Sequence, residues 1–313
     1  MIIDMHCDTF LRMYEDKKDT ESFMENGYSI DIKKLQKGNV SAQCFAIFNE
    51  LDNGYNTQEM YDRIDYMLNA LDNFDEYVYI YNGFNSLKSD KDLKKICAVP
   101  TIEDLGPILD DITNIDKLHE LGFKICSLTW NDENTLGYPN STRKEIMSNG
   151  LKNFGIEVVE RMNELNMIVD VSHLSDGGFY DVAKYSKKPF VATHSNARTI
   201  TNHKRNLTDD MIKILSNAGG VMGINFCSAF LCDSGNKSKV SDMIRHIKHI
   251  RYVGGIECIA IGSDFDGIEC DLEIYDASQY TILIDALRDS GFTQNEIDKI
   301  TYKNALRTLK DSE

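Results

Sequence analysis

The sequence predicts an α/β chain of the (β/α)8, or TIM-barrel, class. Three observations lead there: eight short apolar runs, amphipathic stretches between them, and polar residues gathered where the runs end. The runs occupy residues 2–8, 40–48, 96–103, 123–130, 167–173, 190–194, 220–226 and 258–264. They are rich in Ile, Val, Phe, Ala and Cys and nearly continuous, as parallel strands covered on both faces must be. Helical periodicity is clearest at 58–74, 153–166, 209–218 and 240–252. Strand then helix, repeated eight times in a chain of this length, is the barrel pattern.

Taken in order, the first run ends on His6 and Asp8, and side chains two apart on a strand share a face. The third run ends on Glu103, the fourth on Trp130, the fifth on His173, the sixth on His194 and the eighth on Asp264. Residues 77–95 are polar and irregular and read as connection and helix. Residues 278–310 carry two helical patterns, broken near 291–293, that would close the barrel. No Pro/Gly/Ser-rich linker, low-complexity tract or solenoid-period repeat divides the chain, so residues 1–313 read as one domain.

Composition narrows the function. A chain of 313 residues that is 42% hydrophobic and 10% aromatic buries a large core and is not disordered. No run approaches the roughly 18 apolar residues needed to span a bilayer, and no signal-peptide pattern opens the chain, so a cytoplasmic protein is expected. The eight cysteines lie in apolar stretches without zinc-finger spacing, which favours reduced thiols over a disulfide framework. A net charge of −16 argues against nucleic acid and anionic membrane as partners and is compatible with a cationic substrate.

Barrel active sites sit at the C-terminal ends of the strands. Three histidines and three carboxylates are therefore expected on one rim. Such a set suits Zn²⁺ and related divalent ions, and a carboxylate in its middle can bridge two of them. Two metals can polarise a carbonyl and generate a nucleophile at neutral pH. His119, His203, His246 and His249 are not expected to bind metal: His246 and His249 read as one solvated helix face, His119 as part of an amphipathic helix and His203 as a loop residue.

The chain resembles the membrane dipeptidase (renal dipeptidase) family of metallopeptidases, in the amidohydrolase superfamily. The resemblance rests on Ile3-Asp4-Met5-His6-Cys7-Asp8, Ile30-Asp31-Ile32-Lys33-Lys34-Leu35, Leu128-Thr129-Trp130-Asn131 and Val169-Asp170-Val171-Ser172-His173. It continues through Thr193-His194-Ser195-Asn196-Ala197, Lys204-Arg205-Asn206-Leu207-Thr208-Asp209 and Ile261-Gly262-Ser263-Asp264-Phe265-Asp266-Gly267. The resemblance implies that His6 and Asp8 bind one Zn²⁺, that His173 and His194 bind a second, and that Glu103 bridges them. It also implies that Asp264 moves the proton and that Arg205 grips the substrate carboxylate, a task suited to its planar fork. Two departures stand out. Glu103 is followed by Asp104-Leu105-Gly106 where the family shows glycines, so the local loop is expected to differ. Trp130 stands where animal members carry a substrate-contacting histidine, so an aromatic wall is expected there.

The activity this implies is zinc-dependent hydrolysis of small dipeptides, including those with a C-terminal D-residue, by a chain that forms a homodimer in keeping with its family. Two other readings stay open. One is a binuclear amidohydrolase acting on a lactone, cyclic amide or phosphoester, many of which bridge their metals with a carboxylated lysine; Lys124 lies near the start of the fourth run. The other is a non-catalytic metal-binding barrel, although no ligand position is missing.

Overall fold

A computed structural model describes residues 1–48, 54–89, 95–233 and 235–313. Its strands are β1 (Ile2–Asp4), β2 (Val40–Phe48), β3 (Val78–Ile80), β4 (Ile96–Glu103), β5 (Ile125–Ser127), β6 (Ile168–Asp170), β7 (Met222–Ile224), β8 (Lys237–Ser238), β9 (Ile259–Ile261) and β10 (Asp271–Leu272). The main sheet runs β6-β5-β4-β2-β1-β9-β7, all parallel, with β3 beside β4. Between its two edges lies the sixth run. Asp170 bridges Val191 and Ala192 bridges Met222, and backbone bonds such as Val191 N–H to the Val169 carbonyl (2.9 Å) and Gly223 N–H to the Ala192 carbonyl (2.8 Å) close the ring. β8 and β10 form a separate two-stranded parallel ribbon.

Strand alternation sorts the side chains. Ile3, Met5, Ala42, Cys44, Cys97, Val99, Ile125, Ile168, Val191 and Ala260 form one buried cluster, joined by Ala305 and Leu309 of the helix Asn304–Asp311. Their strand neighbours Ile2, Phe45, Ala98, Ile102, Val169 and Ala192 pack outward into a larger cluster with the helices. The parity that turns Cys97 and Val99 inward also turns Thr101 and Glu103 inward, at the C-terminal end of β4. Glu103, and Asp264 on the parity of Ala260, are therefore extensions of the inner faces of their strands, whereas His6, Asp8, His173 and His194 lie off the parity of Ile3, Ile168 and Val191 and reach the rim beyond the ends of the strand ladders.

The expected helices form at Thr57–Asp72, Asn153–Glu164, Asp209–Asn217 and Val240–Gly254. Among the described residues no helix is long and apolar enough to cross a membrane. Most strands are shorter than their apolar runs: beyond Asp4, for example, only Cys7 keeps a single bridge, to Phe265. Residues 77–95, expected as connection and helix, contain β3 as well as the helix Phe84–Ser89, and 90–94 fall outside the described residues. Near the C-terminus the break falls at Gly291, whose φ of +87° favours glycine, and Thr293 and Glu296 form a reciprocal capping box that restarts the helix.

One histidine differs from expectation. His246 is fully buried, because it sits on the same stripe of its helix as Met243 and Ile250. Its Nδ1 accepts the Ala197 N–H at 3.1 Å and its Nε2 faces the Leu231 carbonyl at 3.1 Å, so it ties the helix to two loops. His249, one turn on, pairs with Asp209 at 2.8 Å.

Candidate metal centre

His6 follows β1, and its backbone is fixed from below. The Asp4 carboxylate accepts the Ser263 N–H (2.9 Å), the Ser263 hydroxyl (2.6 Å) and the Tyr280 hydroxyl (2.5 Å), while the His6 carbonyl accepts the Asp264 N–H (3.2 Å). Asp8 stands at the N-cap of the helix Thr9–Glu15 but makes no capping bond with its side chain. Its carboxylate turns instead to His6, with Oδ2 3.3 Å from Nε2. Glu103 ends β4, His173 follows β6 and His194 follows the bridged sixth run. Asp264 follows β9 with φ +63°, a left-handed conformation that Asp and Asn tolerate better than most residues.

These side chains converge. Glu103 Oε2 lies 3.5 Å from His6 Nε2, whereas Oε1 lies 2.8 Å from His173 Nε2 and 3.3 Å from His194 Nε2. Asp264 Oδ1 is 3.8 Å from His6 Nε2. Three sets, His6/Asp8/Glu103, Glu103/His173/His194 and His6/His194/Asp264, each bring one ligand atom per residue within 4.8 Å of the others, and all are buried.

A hydroxyl chain orients His194. Thr193 Oγ1 gives its proton to Asp170 Oδ2 at 2.6 Å and so accepts from His194 Nδ1 at 2.8 Å. That leaves Nε2 with a free lone pair toward the cluster, the arrangement common in metal-binding histidines. Asp170 also accepts the Ser127 and Ser172 hydroxyls, at 2.7 and 2.6 Å. On the other side Asn225 Nδ2 donates to Asp264 Oδ2 at 2.7 Å.

The cluster fits a cation on its own chemistry. His173 Nε2 faces a carboxylate oxygen of Glu103, the His194 ring nitrogen at 3.0 Å and a guanidinium nitrogen of Arg205 at 2.9 Å. Protonated, it opposes Arg205; unprotonated, it opposes Glu103. No tautomer satisfies both, and a cation shared by Glu103, His173 and His194 would. His6 Nε2 and Asp8 Oδ1 are buried without a hydrogen-bond partner, as groups awaiting a metal would be.

Electrostatics point the same way. Burial alone would depress His6, but Glu103 and Asp8 together hold it well above the usual range. Burial pushes Asp8 up to about 7 against the pull of His6, and raises Asp264 as well. Burial and the Arg205 charge bring His173 down to about 4, and burial with the His6 charge lowers His194. Glu103 is held well below the carboxylate range, because His6 and His173 outweigh its burial.

The cluster floors a cavity of about 280 Å³ whose lining includes Phe48, Trp130, Lys204, Arg205 and Phe230. Arg205 is only 4% exposed. Its guanidinium lies 5.5 Å from the centre of the Phe230 ring, and its Nη1 is buried with no partner. Trp130 is half-buried on the cavity wall, its ring 4.4 Å from Phe48 and 6.1 Å from His173. All eight sequence-expected site residues thus meet in one place. Asp104 adopts φ +81° where a glycine would be at ease, and its carboxylate accepts the Gly106 N–H, the Tyr55 hydroxyl and the Asn134 amide at 2.8 to 2.9 Å. Lys124 is not part of the cluster: its Nζ donates to the Asn166 carbonyl at 2.5 Å.

Sequence reasoning missed Phe48, Asn225 and the Asp170–Thr193 pair. Asp170 and Thr193 could have been found, since each precedes a histidine on the inner parity of its run. Asn225 and Phe48 carry no such signal.

A family model described as membrane dipeptidase (peptidase family M19) matches residues 1–313. A Schizosaccharomyces pombe protein named as an uncharacterized dipeptidase is 31% identical over 307 residues, 92% of this chain and 74% of that one. An uncharacterized protein in the pqqA 5' region of Klebsiella pneumoniae is 34% identical over 227 residues, 70% of this chain and 83% of that one. In fold, the chain is similar to a metallo peptidase from Rhodobacter sphaeroides solved with a phosphinate mimic of the dipeptide L-Ala-D-Ala. The TM-score is 0.92 at 22% identity, over 100% of this chain and 99% of that one.

Proposed function

We propose, for a chain that belongs to the membrane dipeptidase family (peptidase family M19) and is therefore a metallo-dipeptidase, that two zinc ions serve hydrolysis of small dipeptides at this cluster. The observation that carries the reading is the split use of Glu103, one oxygen toward His6 and the other toward His173 and His194. His6 and Asp8 would hold one ion, His173 and His194 the other, with Glu103 between. When bound, the ions would supply charge to polarise the scissile carbonyl and to lower the pKa of a water molecule.

The protein's own groups do the rest. Arg205 presents an unpaired Nη1 beside the cavity and binds the substrate's free carboxylate, while the burial around it excludes competing water. Asp264, steadied by Asn225, takes a proton from the attacking water and passes it to the leaving amine. Phe48 and Trp130 give the substrate an apolar wall. The Rhodobacter enzyme's ligand mimics an L,D-dipeptide, and we extend acceptance of a C-terminal D-residue to this chain. Metal analysis beside a panel of L,L and L,D dipeptides tests the whole reading. A protein with close to two zinc ions per chain that cleaves members of the panel supports it; a metal-loaded protein that cleaves none of them overturns it.

Two variants test the substrate side. Arg205→Lys keeps the charge but loses the fork, so turnover of dipeptides should fall sharply at unchanged metal content. If the wild type cleaves C-terminally amidated dipeptides as fast as the free acids, the carboxylate anchor is wrong. Trp130→His should reorder the dipeptide preferences while the metals stay. An unchanged ranking together with lost thermal stability would make Trp130 a packing residue.

A further inference from the structure

β4 lies between β2 and β5 in the sheet, so the segments that follow these three strands stand side by side on the rim. Two sets of contacts join the outer segments across the middle one. The first is the aromatic wall, Phe48 at the end of β2 against Trp130 beyond β5, with ring centres 4.4 Å apart. The second is polar and centres on Asp104, the residue after Glu103. From the β2 side its Oδ2 accepts the Tyr55 hydroxyl at 2.9 Å, and from the β5 side its Oδ1 accepts the Asn134 amide at 2.9 Å.

Each partner is built into its own loop. Asn134 is buried, and its Nδ2 also donates to the carbonyl of Leu128 at 2.7 Å, two residues before Trp130. Its Oδ1 accepts the Leu136 and Gly137 N–H groups at 2.8 and 3.1 Å, which closes that loop on itself. Tyr55 is half-buried with its ring against Gly106, where an added Cβ would lie 2.3 Å from the Tyr55 Cζ. Two residues on, the Thr57 hydroxyl donates to the Pro107 carbonyl at 2.6 Å. Asp104 itself is buried at φ +81°, a conformation that a residue with a side chain keeps only where its surroundings over-determine it. The Gly106 N–H, at 2.8 Å from Oδ1, completes that hold.

The wall stands beside the carboxylate anchor, because the Trp130 ring is 6.1 Å from His173 and His173 Nε2 is 2.9 Å from Arg205. On the dipeptidase reading above, the wall therefore meets the side chain of the substrate's C-terminal residue. We propose that Asp104 is a positioning residue for that wall: its carboxylate clasps the β2 and β5 loops together, so that Phe48 and Trp130 select the C-terminal side chain. It acts through Tyr55 and Asn134 rather than on the reacting atoms. The selectivity rests on the dipeptidase reading, whereas the placement of Trp130 does not.

The test compares the metal-loaded protein with its Asp104→Gly variant, a change that suits the backbone and removes all three bonds to the carboxylate. Trp130 is the chain's one tryptophan, so protein fluorescence reports the wall without any substrate. Expected are unchanged metal content, an emission maximum shifted to the red and stronger quenching by acrylamide. In a series from Ala-Gly to Ala-Leu and Ala-Phe, the preference in kcat/KM for the bulky C-terminal residues over glycine should fall roughly 10-fold, the lower end of what one methylene contributes in an apolar pocket. The fall should come through KM, with kcat for Ala-Gly unchanged. Asp104→Asn keeps an acceptor oxygen for the Asn134 amide and should recover much of both signals. Gly106→Ala drives the Tyr55 ring away without touching Asp104 and should reproduce the loss. Wild-type emission and ranking in Asp104→Gly, with only a lower melting temperature, would make Asp104 a purely structural residue and overturn the proposal. Loss of metal would overturn it too, because Asp104 would then act on Glu103 instead of the wall. Should no dipeptide be cleaved, the dipeptidase reading fails, and the emission alone decides whether Asp104 places Trp130.

Discussion

Replacing Glu103 by alanine is expected to empty both metal positions and to lower turnover by more than the ~10–100-fold typical for loss of an outer partner of a metal ligand. Its two oxygens face different histidines: Oε2 is 3.5 Å from His6 Nε2, and Oε1 is 2.8 Å from His173 Nε2 and 3.3 Å from His194 Nε2. Alanine removes both at once. Each half then keeps only two protein ligands, His6 with Asp8 and His173 with His194, below the three of a typical catalytic zinc site. Glu103→Gln is the informative partner, because its amide keeps one acceptor oxygen and should retain close to one ion per chain. Metal content after exhaustive dialysis, with circular dichroism to confirm the fold, measures both. An alanine variant that still carries two ions and full activity removes Glu103 from the centre.

The parts of this site that were legible in the sequence share one property: each ends an apolar run. His6, Glu103, His173, His194 and Asp264 could be read because each is the polar residue at the end of its run; only Glu103 and Asp264 keep the inner-face parity of Val99 and Ala260. The strand lengths were not legible. The runs stay apolar to the rim, but the ladders end earlier, as at Asp4, where only the Cys7 bridge to Phe265 continues. β3 hides in a polar stretch because its three residues are defined by pairing with Ile96, Cys97 and Ala98 rather than by their own pattern. His246 was misjudged because a stripe containing one polar residue reads as a boundary between faces. Its contacts, to Ala197 and Leu231, lie 49 and 15 positions away, and no local pattern announces them. Asn225 fails for the same reason: its role is a bond to Asp264 across 39 positions.

The Asp264→Asn variant should keep its metals and lose roughly 10²- to 10⁴-fold in kcat, the range for removal of a positioned general acid or base. Asparagine suits the backbone, since Asp264 sits at φ +63°, a conformation in which Asn is well tolerated. Its side-chain oxygen can still accept from Asn225 Nδ2, so the loop has no reason to move. What the amide lacks is a carboxylate able to take and return a proton. His6, Asp8, Glu103, His173 and His194 remain to hold the ions, which separates this variant from Glu103→Ala: rate lost with metal kept, against rate lost with metal gone. Asp266 is the control, because it also lines the cavity. Its carboxylate is already committed, accepting the Thr9 hydroxyl at 2.5 Å and the Ser29 N–H at 2.8 Å. Asp266→Asn should therefore act on the stability of the loop, read in the melting temperature, and leave the proton transfer largely intact. The reverse pattern, with turnover abolished in Asp266→Asn and retained in Asp264→Asn, would assign the proton transfer to the second acid, and the loop after β9 would have to swing Asp266 inward when substrate binds.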